Sequence, residues 1–168
     1  LLIIHSISLP PGEFGGGFIE ALFGNSIDCN IHPYFEKLAN LRVSSHFLLS
    51  REGNMTQFVS TLKRAWHAGE SKYQGNEKCN DFSIGIELEG FDFLEYTEEQ
   101  YRVLSLLTLS ICHRHPLTDI VGHQHVSPER KTDPGPNFDW KKYQADFLNL
   151  SNVYAKSYKT FKSLNFPK

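Results

Sequence analysis

The chain has 168 residues, 40% of them hydrophobic and 13% aromatic, enough for one compact domain with its own core and too apolar for a disordered chain. Lysine and arginine number 17 against 19 acids, a net charge of −2, which lacks the basic excess of a general nucleic-acid binder. No apolar run approaches the length needed to cross a bilayer.

From the first residue, "LLIIHSI" reads as a buried strand ending near His5 and Ser6. "SLPPGEFGGG" is a loop, because its prolines and glycines continue neither strand nor helix, and "FIEALF" suggests a short helix. "RVSSHFLLS" and "MTQFVS" are strand-like, joined by "REGN", whose Gly53-Asn54 suits a tight turn. "AWHAGESKYQGNEKCN" is a polar, glycine-bearing loop long enough to suggest a function. "FSIGIELEG" alternates, with Ile84, Ile86 and Leu88 on one face and Gly85, Glu87 and Glu89 on the other. Thr97 with Gln100 forms a capping-box signature, and a helix follows with Tyr101, Leu104, Leu107 and Ile111 along one stripe. "TDIVGHQ" is a further strand, and Asp139 caps a last helix with Trp140, Tyr143 and Phe147 facing inward. Beyond about Ser151 the chain is polar and lysine-rich, so residues 151–168 are expected to form a partly loose tail behind a domain of residues 1–150. Interspersed strands and helices predict a single α/β domain, a central mixed β-sheet flanked by helices.

Cys29, Cys79 and Cys112 are far apart and form no Cys-x-x-Cys pair, so reduced thiols and a reducing compartment are expected. The chain opens on Leu1 inside an apolar run, which suggests a fragment or a trimmed chain.

Chemistry concentrates in three places. Glu87 lies mid-strand, where a carboxylate is costly unless solvated or paired, and Gly85 on the same face suggests open space above the sheet. A simply wet sheet face explains the pattern equally well, and the pattern does not separate Glu87 from Glu89. His5 ends an apolar strand, although a lone histidine there is more often structural than a ligand. In "GHQHVSPERKTDPGP", His123 and His125 point the same way if the strand continues through both, and Lys131 and Asp133 share a side of an extended loop. A catalytic zinc site takes three ligands from His and Asp/Glu and keeps the fourth position open; His5, one of His123/His125, and Asp133 supply such a set. A nearby glutamate then moves protons and a lysine stabilises an oxyanion. No compact His-Glu-x-x-His motif is present, and a charged surface loop is the bland alternative. His46 reads as a buried strand residue. His67 either lines a cleft beside Trp66 or packs, and His32, His113 and His115 look like surface or helix-end residues. Arg42, Lys78 and Arg130 are candidates for substrate carboxylates, each more simply a solvated charge.

"LLIIHSISLPPGEFGG", "RAWHAG", "YQGNEKCNDFSIGIELEG" and "GHQHVSPERKTDPGP" together resemble the AmpD-type 1,6-anhydro-N-acetylmuramyl-L-alanine amidases, within the wider zinc amidase and peptidoglycan-recognition superfamily. The resemblance runs from Leu1 to about Tyr143. It implies Zn2+ held by His5, His123 and Asp133, with His123 chosen over His125, Glu87 as proton carrier for the attacking water, and Lys131 as stabiliser of the tetrahedral intermediate. It implies cleavage of the amide joining the lactyl group of an anhydro-muramic acid to L-alanine, in cytoplasmic recycling of cell-wall fragments, by a monomer that spans no membrane. Ser6 stands where the family often has asparagine, and Lys78 where arginine is common, so a bidentate grip on a peptide carboxylate becomes a point-charge contact. Trp66 and Phe14 are expected as apolar walls, and Ser6, Arg42, Lys78 and Arg130 as polar substrate contacts. Rival readings are a non-catalytic peptidoglycan-binding module, an envelope or secreted amidase acting on intact wall, and an unrelated phosphoesterase. All three ligand positions, the glutamate and the lysine are present, which weighs against the first. A phosphoesterase ordinarily has more carboxylate ligands and two metals.

Overall fold

A computed structural model describes residues 1–154 and 164–167. The elements run β1 (Leu2–Ile7), α1 (Phe18–Phe23), a 3-10 turn (Pro33–Leu38), β2 (Phe47–Leu49), β3 (Met55–Gln57), β4 (Lys72–Tyr73), β5 (Asn76–Glu77), a second 3-10 turn (Cys79–Asp81), β6 (Ile84–Glu89), α2 (Glu98–Arg114), β7 (Ile120–Gly122), α3 (His123–Val126) and α4 (Trp140–Tyr154).

Five strands form the central sheet in the order β3-β2-β6-β1-β7. β1 runs parallel to β6 and β7, β2 parallel to β6, and only edge strand β3 is antiparallel, so the sheet is mixed as expected. The β2–β3 turn carries Gly53 at φ 80, the left-handed backbone that glycine adopts without penalty. A Cβ there would also meet the Glu99 and Val103 side chains.

One sheet face supplies Leu2, Ile4, Phe47, Leu49, Ile84, Ile86, Leu88 and Ile120, which pack with α2 and α4 residues Leu104, Ile111 and Tyr143. Thr97 closes the capping box of α2: its Oγ1 accepts from the Gln100 N–H and its own N–H donates to Gln100 Oε1, each at 3.1 Å. Asp139 Oδ1 accepts the Lys142 N–H at the start of α4. The opposite face carries smaller clusters under α1 and the loops, one around Ile19, Phe35 and Leu48, another around Ile3, Ala68 and Val121. Covered on both sides, β6 is buried along its whole length, so the wet-face reading of "GIELEG" does not hold.

Residues 65–80 are not a plain loop: β4 and β5 form a small hairpin within them. α4 continues past position 150 to Tyr154, and Leu164 and Phe166 pack on the main core while Asn165 bridges to Asp119. The rest of the expected tail, residues 155–163 and 168, lies outside the described residues. The three cysteines are not in disulfides. No helix among the described residues is long and apolar enough to cross a membrane.

Candidate active site

The parallel ladders set the site. Ile4 is the register partner of Gly122, where β7 stops, so His5, within β1, and His123, just past the end of β7, each come one residue after that pair. On the other side of β1, His5 is the register partner of Glu87. Asp133 returns on the loop after α3. Its carbonyl accepts the Gln124 N–H at 2.9 Å, and the Tyr96 hydroxyl donates to the next carbonyl, Pro134, at 2.8 Å.

His5 Nδ1 lies 3.0 Å from His123 Nδ1, and Asp133 Oδ2 lies 3.2 Å and 3.1 Å from those two nitrogens. Ligands around a tetrahedral ion with metal–nitrogen bonds of about 2.0–2.1 Å stand about 3.3 Å apart, so the triangle has the dimensions of one face of such a site. The chemistry of the donors agrees. His123 Nε2 is 3.1 Å from the Ala68 carbonyl, which only accepts, so this nitrogen carries the proton and Nδ1 presents a lone pair. Burial pulls His5 down to about 4, so it is neutral at pH 7. Burial acts to raise the Asp133 carboxyl, but the two imidazoles beside it prevail and hold it well below the usual carboxylate range. A carboxylate oxygen and two ring nitrogens this close form a donor set that a cation would suit. A proton serves one pair at a time, whereas a metal ion serves all three, and the residues fit one.

Glu87 is buried beside this triangle. Desolvation first, then the Asp133 charge, pushes its carboxyl up to about 8, opposed by Lys131. The Lys131 charge also acts on His5. The two acids of β6 are now distinguishable. Glu89 is committed to backbone: its Oε1 accepts the Gly15 N–H at 2.6 Å and its Oε2 the Arg51 N–H at 3.1 Å.

Two expectations fail for stated reasons. His123 and His125 do not point the same way, because β7 ends at Gly122 and α3 begins at His123. His125 turns back, its Nδ1 accepting the Gly122 N–H at 2.8 Å and its ring meeting Trp140 edge-on. The space above Gly85 is not open either: a Cβ there would lie 2.5 Å from the His67 ring. The His67 imidazole fills that place, with Nδ1 2.9 Å from His5 Nε2. Burial, and then His5 beside it, hold His67 well below the ordinary histidine range. Nothing in the pattern of "RAWHAG" marks His67 for this position, because its approach to His5 is made by a loop. The loop is tied by Asn80 Oδ1, which accepts the N–H groups of His67 and Ala68.

The residues expected to touch substrate are dispersed. Ser6 alternates to the Leu88 face of β1 and is hydrogen-bonded to Tyr96. Trp66 is 57% exposed, with the Arg64 guanidinium 3.6 Å over its ring. Arg42 donates to the carbonyls of Ala39 and Leu41 in its own loop. Arg130 donates to the Ala68 and Glu70 carbonyls and to Ser127 Oγ, over Gly69, which has no room for a side chain. Lys78 sits at φ 58 ahead of the second 3-10 turn, and with Lys72, His125 and Arg130 lines a cleft of about 710 Å³ that none of the three triangle residues lines.

The profile of the N-acetylmuramoyl-L-alanine amidase family matches residues 2–136. The 1,6-anhydro-N-acetylmuramyl-L-alanine amidase AmpD of Citrobacter freundii is 57% identical over 147 residues, covering 86% of this chain and 79% of the relative. A crystal structure of a selenomethionine AmpD derivative superposes with a TM-score of 0.85 at 57% identity, over 87% of this chain and 83% of the other. The Escherichia coli amidase AmiD, solved with the substrate anhydro-N-acetylmuramic acid-L-Ala-D-γ-Glu-L-Lys, matches at a TM-score of 0.65 and 25% identity, over 98% of this chain and 66% of the other. With its family profile matched over most of its length and its relatives sharing the fold, the chain belongs to the N-acetylmuramoyl-L-alanine amidase family.

Proposed function

We propose that the chain is the catalytic domain of a zinc amidase, α4 running through the boundary at 150 that the sequence suggested. It hydrolyses the amide between the lactyl group of 1,6-anhydro-N-acetylmuramic acid and the L-alanine of the stem peptide, as a cytoplasmic monomer in peptidoglycan recycling. The observation that carries this reading is the triangle of His5, His123 and Asp133 beside a buried Glu87 on the adjacent strand. The substrate named for the E. coli relative belongs to the same chemical class.

His5, His123 and Asp133 are the residues that would hold the ion. When bound, zinc supplies a Lewis acid that polarises the carbonyl and makes water acidic enough to attack at neutral pH. The ionised form of Glu87, disfavoured by burial in the metal-free protein, would be favoured by a cation held by the triangle, and Glu87 would then take the proton of the attacking water. The same carboxyl, now protonated, hands it to the alanine nitrogen as the carbon–nitrogen bond breaks. Lys131 faces the oxyanion that forms on the lactyl carbonyl oxygen. Trp66 and Phe14 flank sugar or peptide, and Lys78 and Arg130, which line the cleft of about 710 Å³, meet polar groups of the substrate, whereas Ser6 and Arg42 are engaged with Tyr96 and with their own loop.

The test is chromatography of anhydro-muramyl tripeptide incubated with the protein, beside intact peptidoglycan. Free tripeptide released from the small substrate alone is the expected result. Release from the polymer moves the protein to the envelope class, and no release from either by the zinc-loaded protein favours a binding module.

A further inference from the structure

A histidine coordinates metal through a lone pair, so a ligand histidine must be held in one tautomer. For His123 the Ala68 carbonyl does this. His5 has no carbonyl at its far nitrogen; it has His67, and an imidazole either donates or accepts at each nitrogen. The ambiguity is resolved further along. Ser83 Oγ lies 2.6 Å from the Cys79 carbonyl, so the hydroxyl proton is given there. Ser83 Oγ also lies 3.4 Å from His67 Nε2, and with its own proton committed it accepts, so His67 Nε2 carries a proton. His67 Nδ1 is then the acceptor, and at 2.9 Å it takes the proton of His5 Nε2. That leaves the His5 Nδ1 lone pair directed at His123 and Asp133.

We propose that His67 is a positioning residue for the metal. Through the chain His5–His67–Ser83–Cys79 carbonyl, it fixes His5 in the tautomer protonated on Nε2 and sets the angle of its ring. The surroundings suit the task. His67 is buried over Gly85 with its ring edge-on to both His5 and His46. His46 is itself fixed by accepting from the Gly85 N–H and facing the Lys63 carbonyl. Partners of ligand histidines orient the ring and raise its basicity, and their loss commonly costs 10–100-fold in metal affinity. This rests on the metal reading of the triangle, and the experiment separates the two.

Zinc dissociation constants are measured by chelator competition for the wild-type protein and for His67→Phe, His67→Asn and Ser83→Ala. The His5 tautomer is read by nitrogen-15 NMR in the metal-free proteins. Phenylalanine fills the place over Gly85 without an acceptor, and about 10–100-fold weaker zinc binding with a mixed His5 tautomer is expected. Asparagine, whose amide oxygen falls near the place of Nδ1, recovers most of the affinity and the Nε2-protonated form. Ser83→Ala gives a smaller loss and releases His67 to both tautomers. Zinc affinity within twofold of wild type in His67→Phe, or His5 still wholly Nε2-protonated there, overturns the proposal. A wild-type protein that binds no zinc overturns the metal reading instead, and the tautomer measurement, made without metal, still decides the role of His67.

Discussion

His5 and Glu87 are register partners across the parallel β1–β6 ladder, on the sheet face opposite α2 and α4. A prospective metal ligand and a prospective proton carrier therefore rise from neighbouring strands roughly 5 Å apart, fixed by backbone hydrogen bonds on both sides.

Replacing Glu87 with glutamine keeps the shape and removes the proton acceptor. Turnover is expected to fall by about 10²–10⁴-fold with zinc content unchanged. Metal analysis alongside the tripeptide-release assay checks this, and full turnover in Glu87→Gln would falsify the assignment.

His123→Ala removes one corner of the triangle and leaves Asp133 beside a single imidazole. Loss of both zinc and activity is expected. Zinc retained at one ion per chain in the purified variant would rule His123 out as a ligand.

In the metal-free protein, the buried histidines, His5 and His67 foremost, and Glu87 act on stability in opposite senses as pH changes. The folded state keeps His5 neutral down to about 4, whereas the unfolded chain protonates near 6.5, so this contribution is lost as pH falls between those values. The folded state keeps Glu87 protonated up to about 8, whereas the unfolded chain ionises near 4.5, so stability falls as pH rises across that range. The two slopes oppose one another between the reference values of 4.5 and 6.5. Above 6.5 the histidine contribution is complete and Glu87 lowers stability by up to about 1.4 kcal/mol per pH unit, opposed by the Leu1 amine, which burial lowers from 8.0. Urea melts of chelator-treated protein from pH 6.5 to 8 are expected to show this decline, and Glu87→Gln to flatten it; an undiminished decline in the variant would assign it elsewhere.

Gly85→Ala places a methyl group where the His67 ring stands. Displacing a packed side chain costs about 1–3 kcal/mol. Thermal unfolding should report that loss and chelator competition a weaker hold on zinc, whereas unchanged melting would mean that His67 yields without strain.

Tyr143→Phe tests the far side of the sheet. The buried Tyr143 hydroxyl is 2.5 Å from Thr108 Oγ1, joining α4 to α2. Loss of about 1–2 kcal/mol is expected, lowering Tm by about 2–4 °C per kcal/mol in a chain of this size, with activity at 25 °C retained.

Much of the frame was legible in the residue pattern because its signals are local. The "LLIIHSI" run, the alternation in "FSIGIELEG" and the capping box at Thr97 each depend on neighbours within a few positions, and each became the expected element. The resemblance carried by four motifs pointed to His5, His123 and Asp133, and folding brings these three together across more than a hundred positions of sequence. Only the tertiary structure decided what stands around them. Strand β7 stops two residues earlier than the expected segment "TDIVGHQ", which sends His125 away from His123. The 65–80 segment folds over the sheet and puts His67 into the gap above Gly85, turning a supposed opening into a support for His5. Glu87 and Glu89 have equivalent places in the alternation, and they differ because distant backbone, at Gly15 and Arg51, reaches one carboxylate and leaves the other beside Asp133 and Lys131. Alternation and capping are set by chain geometry over a few residues; tautomers, buried charges and the filling of a glycine gap depend on which remote segments pack there.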